Sequence, residues 1–184
     1  MIKQRLAEAF SIHELKHGRQ AAQELLQHEM SSYDGSDHPY ADLAVWLGFL
    51  RALGMIHHSH HWQTMGSPFY ADHLLFERLY KAVQDEVDTV GEKVVGIDSP
   101  ALTNYFLQLT HMKAFMKKIS NREKPPMLVS LNSEFLFVAA GELVSDRLRE
   151  AGLFTSGVAN MMGDILDRHE SHVYLLQQRL AFKV

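Results

Sequence analysis

Apolar residues along this chain recur at three- and four-residue intervals, and few stretches alternate as a strand would. The pattern predicts helices throughout. Over residues 2–31 the apolar positions are Leu6, Phe10, Leu15, Ala22, Leu25, Leu26 and Met30, and Ser11 with Glu14 forms a capping-box pattern, so two helices are expected to meet near residue 11. A polar loop follows at 32–38, and Pro39 suits the first turn of a helix over about 40–64. In that helix Leu43, Leu47, Leu50 and Gly54 share one side while Trp46, Phe49, Leu53 and Ile56 fill the next, a band wide enough for several neighbours. Gly66 ends it. Ser67-Pro68 then reads as N-cap and N1 of a third helix, to about Gly96, and Ser99-Pro100 repeats that signal for a helix to about Ser120. After a polar linker at 121–126, helices are expected over 127–151, with Gly152 just past the end, and from Thr155 or Ser156 to about Leu180. Long helices joined by short connections predict an all-α bundle in a single domain, 1–184, with a helical extension at 1–38 and the bundle at 39–182.

The 184 residues are 46% hydrophobic and 22% charged, enough for one sizeable core. The net charge of -4 gives no global attraction to nucleic acid or to an anionic membrane. The chain has no cysteine, which excludes disulfides, thiolate metal sites and cysteine nucleophiles. The N-terminal Met-Ile-Lys-Gln-Arg-Leu lacks the apolar core of a signal peptide, and no apolar run approaches the ~20 residues of a membrane span, so a cytoplasmic location without membrane partners is expected.

Twelve histidines direct attention to 57–96. On the third predicted helix His73 and Glu77 are four residues apart, as are Asp88 and Glu92, and the eleven residues from Glu77 to Asp88 are close to three turns. The two pairs therefore share a stripe, and His61, just before the turn, lies near His73. Imidazole and carboxylate donors suit iron, manganese or zinc. His73 and Asp88 are fifteen residues apart, which is ~22 Å along a helix, whereas metal–ligand bonds are only ~2.0–2.2 Å. If all five residues act together, an antiparallel second chain must bring Asp88 and Glu92 to His61, His73 and Glu77, making two equivalent sites per dimer.

These residues resemble the Dps family of mini-ferritins: His61-Trp62, then Gly66, His73, Glu77 and Asp88-Thr89-Val90-Gly91-Glu92, without gaps, with similarity over about 41–180 that includes His169-Glu170. The resemblance implies a ferritin-like four-helix bundle with a short helix between the second and third bundle helices. It implies a twelve-subunit shell that oxidises ferrous iron, with peroxide or oxygen, at di-iron ferroxidase sites between subunits and stores the ferric product, protecting against oxidative damage. His61, His73, Glu77, Asp88 and Glu92 take the role of catalytic metal ligands, Trp62 is placed to intercept oxidising equivalents, and iron is the metal bound; His57 is an accessory candidate only through its place one turn before His61. The alternative is a DNA-compacting shell protein with little ferroxidase activity. The chain departs from the family in having Glu77 for an Asp, Gly91 for an Ala and Lys93 for an Arg, a longer 97–128 connection, and a helical rather than Lys-rich N-terminus. Gly91 in mid-helix is expected to mark a close approach.

Other patterns are weaker. His13-Glu14-Leu15-Lys16-His17 matches the zinc-protease HExxH, without a third ligand or a substrate-binding sheet. His57, His58 and His60 each read as structural or solvated sooner than as ligands. His169, Glu170 and His172 read as non-ligands, because the family has a similar His-Glu there without that duty. Asp146, Glu150 and Asp164 suit either a cation pore or a solvated face. Lys3, Arg5, Lys16 and Arg19 are too dispersed for phosphate binding, and Lys113, Lys117, Lys118, Arg122 and Lys124 read as solvated surface.

Overall fold

Two antiparallel helical hairpins make the centre of the computed structural model, which describes residues 18–31, 33, 38–119 and 124–181. The first hairpin pairs α2 (Ala41–Gln63) with α3 (Phe69–Ile97), and the second pairs α5 (Pro126–Glu150) with α6 (Ser156–Ala181). A helix over residues 18–30, here α1, precedes them. Between the hairpins run a short 3-10 turn (Pro100–Thr103) and α4 (Tyr105–Ile119). The described residues contain no strand. The expected HExxH motif, the capping box at Ser11, and Lys3, Arg5, Lys16 and Arg122 lie outside the described residues.

The wide apolar band of α2 has the expected cause. From Ala41 to Leu50 every residue is buried, and α2 packs against α3, α4 and α5 at once. Its Trp46 ring stacks on Phe137 of α5 at 5.0 Å. The outer helices are one-sided. α3 buries Phe76, Leu79, Val83, Glu86, Val90 and Val94, and α6 buries Val158, Met161, Met162, Ile165, Leu166, His169, His172 and Leu176. α4 crosses close over α2: a Cβ on Gly48 would lie 2.4 Å from the Cβ of His111, so a side chain there has no room. α1 adds Ala22, Leu25 and Leu26 to the core, and Glu29 accepts a hydrogen bond from His111 of α4 at 2.5 Å.

The helix ends are held by identifiable groups. The start of α2 is capped from across the hairpin, since Asp98 accepts the Tyr40 backbone N–H at 2.8 Å and pairs with His38 at 3.0 Å. Thr155 caps α6 through the Val158 N–H. Two boundaries differ from expectation. Ser67 does not cap α3; the chain reverses through Gly66 at φ 78°, the Phe69 N–H bonds to the Gly66 carbonyl, and α3 starts at Phe69. The segment after Ser99 is broken at Asn104, whose side chain accepts the Phe106 N–H and starts α4 afresh. By length and composition α5 is apolar enough to cross a membrane, contrary to the reading that no run comes near this, but most of its apolar window is buried inside the bundle.

The buried apolar residues fall into two clusters. The larger surrounds Trp46, Phe49 and Phe137, and the smaller comprises Phe76, Leu79, Met127, Leu131, Phe135 and Leu176. A polar layer lies between them: His57 and His60 face Phe76 of the smaller cluster, and His169 faces Phe137 of the larger.

Candidate metal centre

The turn from α2 to α3 brings His61 and His73 together. Their rings stack at 3.7 Å between centroids and 25° between planes. Each ring is held by the other residue's backbone: His61 Nδ1–H donates to the His73 carbonyl at 2.9 Å, and His73 Nδ1–H donates to the His61 carbonyl at 3.1 Å. With the proton on Nδ1, each ring keeps its lone pair on Nε2, the form a metal ion takes up. Glu77 lies one turn further along α3. Its carboxyl is held below the usual range, first by a hydrogen bond from Lys81 at 2.5 Å and then by the Lys81 charge, with smaller contributions from His61 and His73. Tyr80 turns its ring edge to His61 at 5.3 Å and stacks on His58 at 4.3 Å. Trp62 is 69% exposed, with its ring 4.2 Å from His58.

Asp88 and Glu92 lie elsewhere on the same unbroken helix. They line a surface cavity of about 530 Å³ with Leu47, Arg51, Gly91 and Val95. Within the chain Gly91 marks no close approach: the nearest atom to a Cβ there is Leu47 Cδ2, at 3.9 Å. The missing side chain instead leaves the cavity open. A second cavity, of about 610 Å³, runs toward the turn past Met55, His58, Trp62 and Tyr80, and Arg51 and Val87 line both. One chain thus presents the two groups of donors along one open face of the α2–α3 hairpin and does not bring them together.

His57 does not join the His61 group. It is fully buried and turned into the bundle, where its ring nitrogens meet Ser130 Oγ at 3.0 Å and Glu134 Oε1 at 2.8 Å. There it belongs to the polar layer. Glu134 also receives His169 Nδ1 at 2.6 Å and His172 Nδ1 at 3.2 Å, and His169 Nε2 meets Glu86 at 2.9 Å. Arg168 holds the other oxygen of Glu86 at 2.8 Å, and His60 Nδ1 lies 2.7 Å from Ser130 Oγ. One set of protons satisfies these contacts: His60 donates to Ser130, Ser130 to His57, and His57 and His172 to Glu134, while His169 carries both protons and bridges Glu134 and Glu86. Burial pushes His57 down, and pushes His60 down to about 4. Burial alone would also lower His169, but the charge of Glu134 and its hydrogen bond, joined by Glu86, raise it to about 9. Burial would raise Glu134, yet the three histidines hold it well below the carboxylate range.

Glu86, Ser130 and Glu134 were not among the candidates read from the sequence. The signal for Glu86 was its place on the buried stripe of α3 between Val83 and Val90. For Glu134 it was a lone carboxylate at the head of the apolar run Phe135–Gly141. Asp146, a candidate for a pore, is paired with Arg19 and Arg149 at 3.0 Å each, and Lys118 of the basic stretch is paired with Glu24 at 2.7 Å.

Two helical hairpins, joined by a connection that carries a 3-10 turn and α4 and enclosing a layer of carboxylates and imidazoles, define the ferritin-like four-helix-bundle class. Within that class the chain is similar to Dps proteins. The structure of the Dps protein of Vibrio cholerae O1, described as a member of a broad superfamily of ferritin-like diiron-carboxylate proteins, matches with a TM-score of 0.64 over 88% of this chain and 92% of that one, at 19% identity. The DNA protection during starvation protein of Brevibacillus brevis is 27% identical over 120 residues, 65% of this chain and 79% of that protein. No family model matches the chain. The expected all-helical ferritin-like fold and the resemblance to the Dps family are both borne out.

Proposed function

We propose that the chain is a mini-ferritin that takes up ferrous iron at sites shared by two copies, oxidises it with peroxide or oxygen and stores the ferric product, protecting the cytoplasm from oxidative damage. The observation that carries this reading is the reciprocal locking of His61 and His73, which leaves both Nε2 lone pairs as donors beside the Glu77 carboxylate. Asp88 and Glu92 of an antiparallel partner would complete each site, and the open face between the two groups is where that partner would lie. Apolar side chains at its end, Met65 at 79% and Tyr70 at 72% exposed, suit such a contact.

In this reading iron is the substrate. Two ferrous ions held together each give one electron to peroxide; the O–O bond breaks, two protons are consumed and two waters form, without release of a one-electron radical. The imidazoles and carboxylates favour the ferric charge, and Lys81 gives up its contact with Glu77 as iron arrives. The net charge of -4 and the pairing of Arg19 and Lys118 weigh against DNA compaction as the main role.

The test is the rate of ferrous oxidation under peroxide or oxygen. Wild-type protein is expected to exceed buffer clearly, and His61→Ala and Asp88→Ala to fall to near the buffer rate. Wild-type activity no greater than buffer would overturn the proposal.

A further inference from the structure

The shared site leaves unused a second group of donors inside the bundle. Glu134 of α5 and His169 and His172 of α6 each offer one ligand atom, and the three atoms lie within 4.8 Å of one another. We propose that these three residues form a separate site for one divalent transition-metal ion, zinc or ferrous iron in class, complete within a single chain.

The donor set of two imidazoles and a carboxylate suits such an ion. The distances are close to what one requires. A tetrahedral ion with bonds of ~2.0–2.1 Å holds its ligand atoms about 3.3 Å apart. Glu134 Oε1 and His172 Nδ1 are 3.2 Å apart, and Glu134 Oε2 and His169 Nδ1 are 2.6 Å apart. The two pairs use different oxygens of Glu134, so an ion between the rings displaces the Nδ1 protons and replaces both hydrogen bonds, drawing on ligand atoms that already lie within 4.8 Å of one another.

The orientation is built in from behind. Glu86, itself held by Arg168, receives His169 Nε2 and so points Nδ1 toward Glu134. A carboxylate behind an imidazole is the arrangement that fixes a metal-binding histidine. His57 does the same for Glu134 from the opposite side, with Ser130 behind it. The spacing of His169 and His172, three residues apart on α6, puts both rings on one face. There is also a way in: a cleft of about 380 Å³ between α3 and α6 reaches His172 past Asp164, Asp167, Arg168 and Ser171 of α6, with Arg78 of α3 on its other wall. Apolar side chains would fill this layer without the cost of desolvating two carboxylates. Binding an ion gives the donors a use that filling the core does not.

The experiment uses the His61→Ala/Asp88→Ala protein, in which the shared site is disabled, so its outcome is independent of the ferrous-oxidation reading. The protein is stripped with a chelator and titrated with Co²⁺, followed by visible absorption and by thermal melting. The expected result is one Co²⁺ per chain with a tetrahedral spectrum, displaced by Zn²⁺, and a melting temperature that rises with free metal. Glu134→Gln and His172→Gln should each weaken uptake at least tenfold, Glu86→Gln by about 10–100-fold, and Glu170→Gln, exposed on α6 outside the cleft, not at all. His172→Cys keeps a ligand at that position and should add a thiolate-to-cobalt band. No uptake by the parent with its helical content intact, uptake unchanged in both Gln variants, or a His172→Cys complex without the new band would each overturn the proposal.

Discussion

The placement of single protons organises this molecule. His61 and His73 exchange Nδ1–H bonds with each other's carbonyls, so a backbone turn sets the tautomer of two ligand-type side chains. Elsewhere burial decides. His111 is held below its ordinary value of 6.5 by burial, against the pull of Glu29. The unfolded chain therefore takes up a proton near pH 6.5 that the folded chain refuses. Stability is full above that pH and is lost as pH falls below it. Thermal melting from about pH 6.5 to about 5, where the raised His169 contributes a constant amount, should show a falling midpoint, with a shallower fall in His111→Gln; equal slopes in the two proteins would contradict this. Single residues also show where sequence reading stops. His61, His73 and Glu77 were legible because helical spacing and a short turn suffice to bring them together. Glu134 and Glu86 were not, because a carboxylate on a buried stripe is tolerated only through partners on other helices, and no local pattern carries those partners. His57, an accessory candidate one turn from His61 on α2, is rotated far enough to face the core, where Ser130 and Glu134 hold it.

At the level of elements, periodicity located α2, α3, α5 and α6 nearly to the residue, since apolar stripes over twenty or more positions leave little freedom. The start signals were less decisive. Ser99-Pro100 begins a helical turn in either outcome, and only the Asn104 cap separates a short 3-10 turn from α4. Ser67-Pro68 has the composition of a cap but is consumed by the reversal at Gly66. The packing of α4 on α2 gives a sharp test. Gly48→Ala places a methyl 2.4 Å from the Cβ of His111 and should destabilise the protein by about 1–3 kcal/mol. Gly163→Ala, in α6 with nothing within 4 Å, should instead stabilise by roughly 0.5–1 kcal/mol. Denaturant unfolding of the two variants checks the pair, and a Gly48→Ala protein as stable as wild type would show that α4 does not seat closely on α2.

For the whole molecule, the claim is assembly. The donors on α3 stand fifteen residues apart on one continuous helix, and one chain cannot close that gap. With all five donors in one site, as proposed, a chain of 21.0 kDa should run in solution as a dimer of about 42 kDa or as a multiple of it, with about 252 kDa for a twelve-subunit shell. Light scattering coupled to size exclusion measures this, and a stable monomer would contradict it. Mass alone does not show that the site is shared between chains. Complementation does. His61→Ala and Asp88→Ala each disable every site when expressed alone. In a mixed dimer one site carries both lesions and the other carries neither, so equal co-expression leaves about a quarter of all sites intact. Ferrous oxidation by the co-expressed assemblies should return to about a quarter of the wild-type rate; a mixture no more active than either variant alone would contradict a site built from two chains.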